Sequence, residues 1–478
     1  MVLEDSSFEF IQEGPSKRVS RENKTRIRRK AMQSVGAARR RGDLAKDPKR
    51  WIAAPYPASK SLFSLQTSRP FPLSGMELLV RNLGLDPLDL SALSSVHIGA
   101  AASAVLYSDP TQLQDVLSCR QKSYFSHVAA RFGHVNVLDD AFRCLVIMAH
   151  SLLIPTQRPT DAVVLSQYGK ALRSLQSAIN QETLRHSSEV LCATSILASY
   201  EILNSSSGRT NSASWSQHVA GAARLIQDRG PEQFTTDFDR ALLISFVYPV
   251  CADSFLNNEP CFLDDPSWIQ VLDASVIEDE DFSDGSKLGI ELMKIMVKLS
   301  GLARRTSLAV AAQDTLRGEH LHVLETDIRN ACSAAVAWRR KFNTSLMTAE
   351  KRNERDDFGK RHELLATELI IHVTLSRMLC AIVLDDRPYL DEEVQNMAQE
   401  LRDLKKGVEN NKRASFFLAQ KTIVSDASIA THEIFQVAVD RGKIVEQSRL
   451  LEFCKELGRK NHDGKYYTLV SGSDWVRG

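Results

Sequence analysis

From Pro266 to the end of the sequence, more than two hundred residues, there is one proline, Pro388. Proline removes a backbone donor and clashes with the preceding turn, so a run this long without it leaves helices free to extend. Strand signals are correspondingly poor, because few segments alternate apolar and polar residues between turn formers. Apolar residues instead recur at helical spacing. The pattern is clearest at 167–180 (Tyr168, Ala171, Leu172, Leu175, Ile179), 288–299 (Leu288, Leu292, Ile295, Met296, Leu299) and 391–404 (Val394, Met397, Leu401, Leu404). The expected fold class is all-α.

With 478 residues, 43% of them hydrophobic, the chain can bury a large core. Pro55, Pro57, Pro70 and Pro72 interrupt residues 51–75, which read as a linker. Three parts follow: an N-terminal arm over 1–50, a Pro-rich linker over 51–75, and a multi-helix domain over 76–478. Surface loops are expected at 204–214, at 255–286 around its acidic run, and at 346–361. A helix restart is expected at Asp385–Tyr389. Pro388 would precede the new helix, and Asp391, Glu392 and Glu393 would sit at its positive end.

The 60 basic and 59 acidic residues nearly cancel, so their distribution is what carries information. Residues 17–50 hold 14 Lys or Arg against 3 acidic residues, whereas residues 1–16 carry acidic residues alone. Ser20 can cap a basic helix with a thin apolar stripe (Ile27, Ala31, Val35, Ala38), which is expected to be largely disordered until a partner orders it. Its two basic clusters are Lys24, Arg26, Arg28, Arg29 and Lys30, then Arg39, Arg40 and Arg41. That spacing suits a bipartite nuclear-import signal, and the same side chains could contact nucleic-acid phosphates.

Other classes lose their support. The eight cysteines are scattered, the closest pair ten residues apart, with no CxxC, so neither a zinc site nor a disulfide framework is expected. No GxGxxG, Walker loop, HExxH or GxSxG occurs. Neither catalytic residues, nor a metal, nor a cofactor is assigned. Asp385 and Asp386 open a DDxxxxD run to Asp391 that loosely resembles the metal motif of helical terpene cyclases. The partner motif is missing, and a capped helix junction explains the same residues. The first residues lack the basic stretch and apolar run of a secretory signal, so export is not expected. The most apolar later stretch, 364–384, carries Glu368, His372 and Arg377, so no membrane span is expected.

A run of motifs extends from Tyr168 to Trp268: a YxxAL helix, an almost wholly apolar helix at 188–203 ending in Tyr200-Glu201, an HxxGAxxLIxxRGP helix from His218, and FLxxPxW from Phe262. The succession resembles the fungal-specific transcription factor domain, in its members lacking the six-cysteine zinc cluster. The resemblance implies a nucleus-located transcription regulator acting on a metabolic gene set. It implies transcription factors or coregulators as partners and pairing into homodimers, while the absent zinc cluster leaves the basic arm as the candidate for nucleic-acid contact. A cytosolic helical scaffold or small-molecule binder is the competing expectation. The motif residues Tyr168, Glu201, His218, Gly221, Arg224, Arg229 and Gly230 are expected to be structural. Glu201 should meet His218 or Arg224, Gly221 should permit close helix approach, and Gly230 should supply a positive φ.

Overall fold

The computed structural model describes Val80 and residues 84–154, 156, 159–207, 213–311, 319–351, 358–383 and 386–440, together with 450, 453, 454, 456 and 457. The arm, with Lys24, Arg26, Arg28, Arg29, Lys30, Arg39, Arg40 and Arg41, and the Pro-rich linker lie outside the described residues, as does Asp385.

Among the described residues there are sixteen α-helices and no strand. They are α1 (Gly99–Ser108), α2 (Gln112–Leu117), α3 (Val128–Arg131), α4 (Asn136–Leu153), α5 (Asp161–Ile179), α6 (Glu182–Arg185), α7 (Ser188–Ser206) and α8 (Ala213–Arg229). The chain continues through α9 (Asp237–Leu256), α10 (Pro266–Asp273), α11 (Lys287–Met296), α12 (Leu299–Ala311), α13 (Glu319–Lys351), α14 (Phe358–Ile382), α15 (Arg387–Gly407) and α16 (Lys412–Asp440). The all-α expectation holds.

Local chemistry sets several starts. The Ser187 side chain accepts from the Val190 amide at the head of α7. At α9 a capping box pairs Thr236 with Asp239. Before α10 the Asp265 carboxylate accepts from the Ser267 amide, while Pro266 occupies the first turn, where no donor is lost.

Two apolar cores are built around two helices buried on nearly all sides. The first surrounds α7, where every residue from Val190 to Asn204 is buried, under α4, α5, α8 and α1. The second surrounds α14, packed by α12, α13, α15 and α16. Helix α14 is long and apolar enough to cross a membrane, but 78% of its apolar window is buried inside the protein. Its polar residues have partners in that interior: Glu368 pairs with Arg339 of α13 and lies 3.4 Å from His372. Arg377 is fully buried against Asp391 and Ser428.

Several boundaries differ from expectation. Helix α15 begins at Arg387, so Pro388 lies inside its first turn and Asp391 falls one turn further on. There Asp391 serves Arg377 instead of the helix dipole. The segment 255–286 contains a helix, α10, because Asp265-Pro266 is a strong start signal. Helices α7 and α13 run into the segments expected as loops, to Ser206 and Lys351. A close approach unread in the sequence lies at Gly99, where an added methyl would stand 2.4 Å from the Trp215 ring.

Candidate functional site

Three of the family-motif residues, Tyr168, Glu201 and His218, meet where α5, α7 and α8 come together. Tyr168, from the apolar stripe of α5, donates its hydroxyl to Glu201 Oε1, and the tyrosine oxygen itself lies 3.4 Å from His218 Nε2 of α8. The Tyr168 ring stacks on Tyr200 at 4.6 Å between centroids. Burial raises the Glu201 carboxyl against opposing hydrogen bonds from Tyr168 and Asn204. Burial pushes the His218 imidazole down to about 4. His218 is therefore neutral at pH 7 and brings no cation to the junction. Glu201 reaches His218 through the tyrosine rather than directly.

Arg224 does not approach Glu201. Its side chain is 75% exposed and pairs with Asp228 at 3.0 Å on the solvent face of α8. Ala222 faces the core, and a residue two positions on is turned about 200° away from it. Gly221 is also on the exposed side, where an added methyl would meet nothing within 4 Å. The small surface against the neighbouring helix is provided by Ala222, which is fully buried.

Arg229 closes α8 by a network. It donates to Asp239 Oδ1 at 2.7 Å, to Ser188 Oγ at 3.2 Å and to the Gln233 carbonyl at 3.0 Å, and its guanidinium lies 4.7 Å over the Phe234 ring. Asp239 also accepts from Ser188 and from the Thr236 hydroxyl. Burial pushes the Asp239 carboxyl up, but the hydrogen bonds from Ser188, Thr236 and Arg229 outweigh it, leaving it below its ordinary value. One carboxylate thus ties the ends of α7, α8 and α9. Gly230 follows with φ 78° and ψ 155°, a region essentially reserved for glycine. The chain then passes Pro231 to Phe234, which packs on Trp268 at 5.3 Å, as does Phe262 at 5.6 Å. This explains the spacing of FLxxPxW: Pro266 starts the helix that seats Trp268 between two phenylalanines.

None of these residues lines either of two cavities near the junction of α9, α14 and α16. A polar cleft of about 320 Å³ is bordered by Gln121, Arg240, Glu280, Asp284, Glu363 and Arg413. Arg413 holds Glu363 at 2.8 Å and Gln121 at 2.6 Å, joining α16 and α14 to the segment after α2. Next to it, an apolar pocket of about 100 Å³ contains the polar side chains of His97, Tyr248, Gln420 and Lys421. Burial drives Lys421 down to about 8, opposed by Glu363 and Asp284, and its ammonium donates to the Glu363 carbonyl at 2.8 Å. Sequence reading missed this constellation, which comes from segments more than three hundred residues apart. Among the described residues no cluster of three or more His, Cys, Asp or Glu could hold a metal ion.

Residues 148–286 match the fungal specific transcription factor domain. The chain is also 26% identical over 275 residues to an uncharacterized protein of Emericella nidulans, a match covering 55% of this chain and 58% of that relative. It therefore spans less than two thirds of the relative's length. No solved structure matches the chain. The matched segment contains every motif residue from Tyr168 to Trp268, so the part of the chain that holds the α5, α7 and α8 junction is the part similar to the fungal specific transcription factor domain.

Proposed function

We propose that this chain regulates transcription in the nucleus, controlling a metabolic gene set through regulators or coregulators engaged by its helical domain, or through a second copy of itself. The observation that carries the reading is the fungal specific transcription factor domain at residues 148–286. It is a domain of regulators rather than of enzymes. Its motif residues hold helices together, which leaves the working contacts to the outer surfaces of the helical unit. The basic arm supplies import and phosphate contact, since its charge is concentrated in two clusters at bipartite spacing.

The arm is tested by imaging the fluorescently tagged full chain beside a variant in which Lys24, Arg26, Arg28, Arg29, Lys30, Arg39, Arg40 and Arg41 are all replaced by Gln. The native chain is expected in the nucleus and the variant in the cytosol. A native chain confined to the cytosol would overturn the nuclear reading. Equal nuclear accumulation of the two would remove the import role from the arm.

A further inference from the structure

The apolar pocket lies at the seam of the two cores. His97 and Ile98 enter it from the turn before α1, Tyr248 and Phe255 from α9, Ile370 and Thr374 from α14, and Gln420 and Lys421 from α16. Two of its polar side chains are almost wholly inaccessible, Tyr248 at 4% and Gln420 at 1% exposure. Among the described residues, the Tyr248 hydroxyl and both polar atoms of the Gln420 amide have no hydrogen-bond partner. The Tyr248 ring is fixed by His97, with centroids 4.0 Å apart. Buried groups of this kind cost stability unless something supplies the missing bonds. A pocket with apolar walls and a few convergent polar groups is the usual architecture of a small-molecule site.

The electrostatics select the ligand's charge. Lys421 and Arg413 are balanced by Glu363 and Asp284, and Lys421 already donates to a backbone carbonyl. A further buried charge would be left without a counter-ion. The volume, about 100 Å³, is somewhat below that of engineered cavities that take up benzene, and the pocket is partly open, so a ring seated at its polar groups can extend into the mouth. We propose that this pocket binds a small neutral molecule, one ring or a short chain in size, whose head group both donates and accepts hydrogen bonds at Tyr248 and Gln420. Because the pocket is built by both cores, such a ligand strengthens their packing and couples its own concentration to the stability of the helical unit. The proposal stands independently of the transcriptional reading.

Benzamide is the probe, tested on the purified full chain by calorimetric titration and thermal unfolding. It is compared with toluene, which lacks the head group, and with benzoate, which adds a charge. Benzamide is expected to bind and raise the melting temperature with concentration, whereas toluene and benzoate bind about tenfold or more weakly. Tyr248→Phe combined with Gln420→Leu removes groups that have no partner among the described residues of the free protein. The double variant is therefore expected to melt at or above the native temperature while losing about tenfold or more in benzamide affinity. Ala252→Leu, which adds apolar volume to the pocket wall from a partly exposed position and leaves Tyr248 and Gln420 in place, is expected to weaken benzamide similarly. Benzamide that does not bind the native chain, that binds no better than toluene, or that binds the folded variants undiminished would overturn the proposal. So would an ordered water filling the pocket in place of benzamide in a crystal grown with it.

Discussion

Asp239→Ala is expected to lower the unfolding free energy of the full chain by about 3–5 kcal/mol, the cost of breaking a buried ion pair by removing one partner. Arg229 and Asp239 are 8% and 3% exposed, and without the carboxylate the guanidinium stays in the interior with only carbonyl and hydroxyl acceptors. The same change removes half of the capping box at α9 and leaves the Ser188 hydroxyl without its acceptor at the head of α7. The effect has a defined pH dependence. The folded-state value of Asp239 lies below its ordinary one, so its contribution is present above the unfolded value and lost as pH falls through the folded value. The gap between native and Asp239→Ala is therefore expected to be full at neutral pH and to narrow below about pH 4. Denaturant unfolding across that range checks it. A gap under about 1 kcal/mol at pH 7 would mean that the network contributes no more than an exposed pair.

The second large effect is expected at Arg377→Met, again about 3–5 kcal/mol. Arg377 is fully buried in α14, donating through Nε at 2.9 Å to the Ser428 hydroxyl, through Nη2 at 2.8 Å to the Ser428 carbonyl, and through Nη1 to Asp391. It joins α14, α15 and α16 with a single side chain. Met keeps much of the apolar volume but leaves Asp391 in the interior with His432, whose Nδ1 is 2.6 Å away. Removing both charges with Arg377→Met and Asp391→Leu is expected to give a chain more stable than the single variant, because no buried carboxylate then lacks the guanidinium that balanced it. Denaturant midpoints of the two variants decide this. A double variant no more stable than Arg377→Met would show that the cost lies in lost packing rather than in a buried carboxylate deprived of its guanidinium.

Features written in local sequence were legible, and those made by distant segments were not. The continuous apolar face of 188–203 announced a helix buried on all sides, and α7 is one. Gly230 before Pro231 announced a special backbone conformation, and its φ is positive. Glu201 announced a buried carboxylate in need of a donor, but the choice of donor depended on helix rotation. Tyr168, on the facing stripe of α5, reached it first. Arg224 could have been excluded from sequence, since Ser216, Val219, Ala222 and Ile226 mark the inward side of α8 and Arg224 falls opposite. Gly99 against Trp215, Arg229 against Asp239, and the pocket of Tyr248 and Gln420 have no such signature. Each is a meeting of elements whose mutual orientation only tertiary packing fixes. The start of α15 was misplaced for a related reason. Three successive acidic residues read as a helix head, yet the buried Arg377 claims one of them a turn inside the helix.

The transcriptional reading is tested most directly by genome-wide chromatin occupancy of the tagged full chain at its native expression level, beside the variant with the arm's eight basic residues replaced. The account predicts discrete peaks at promoters for the native chain and their loss in the variant. A native chain present in the nucleus but without promoter peaks would contradict it.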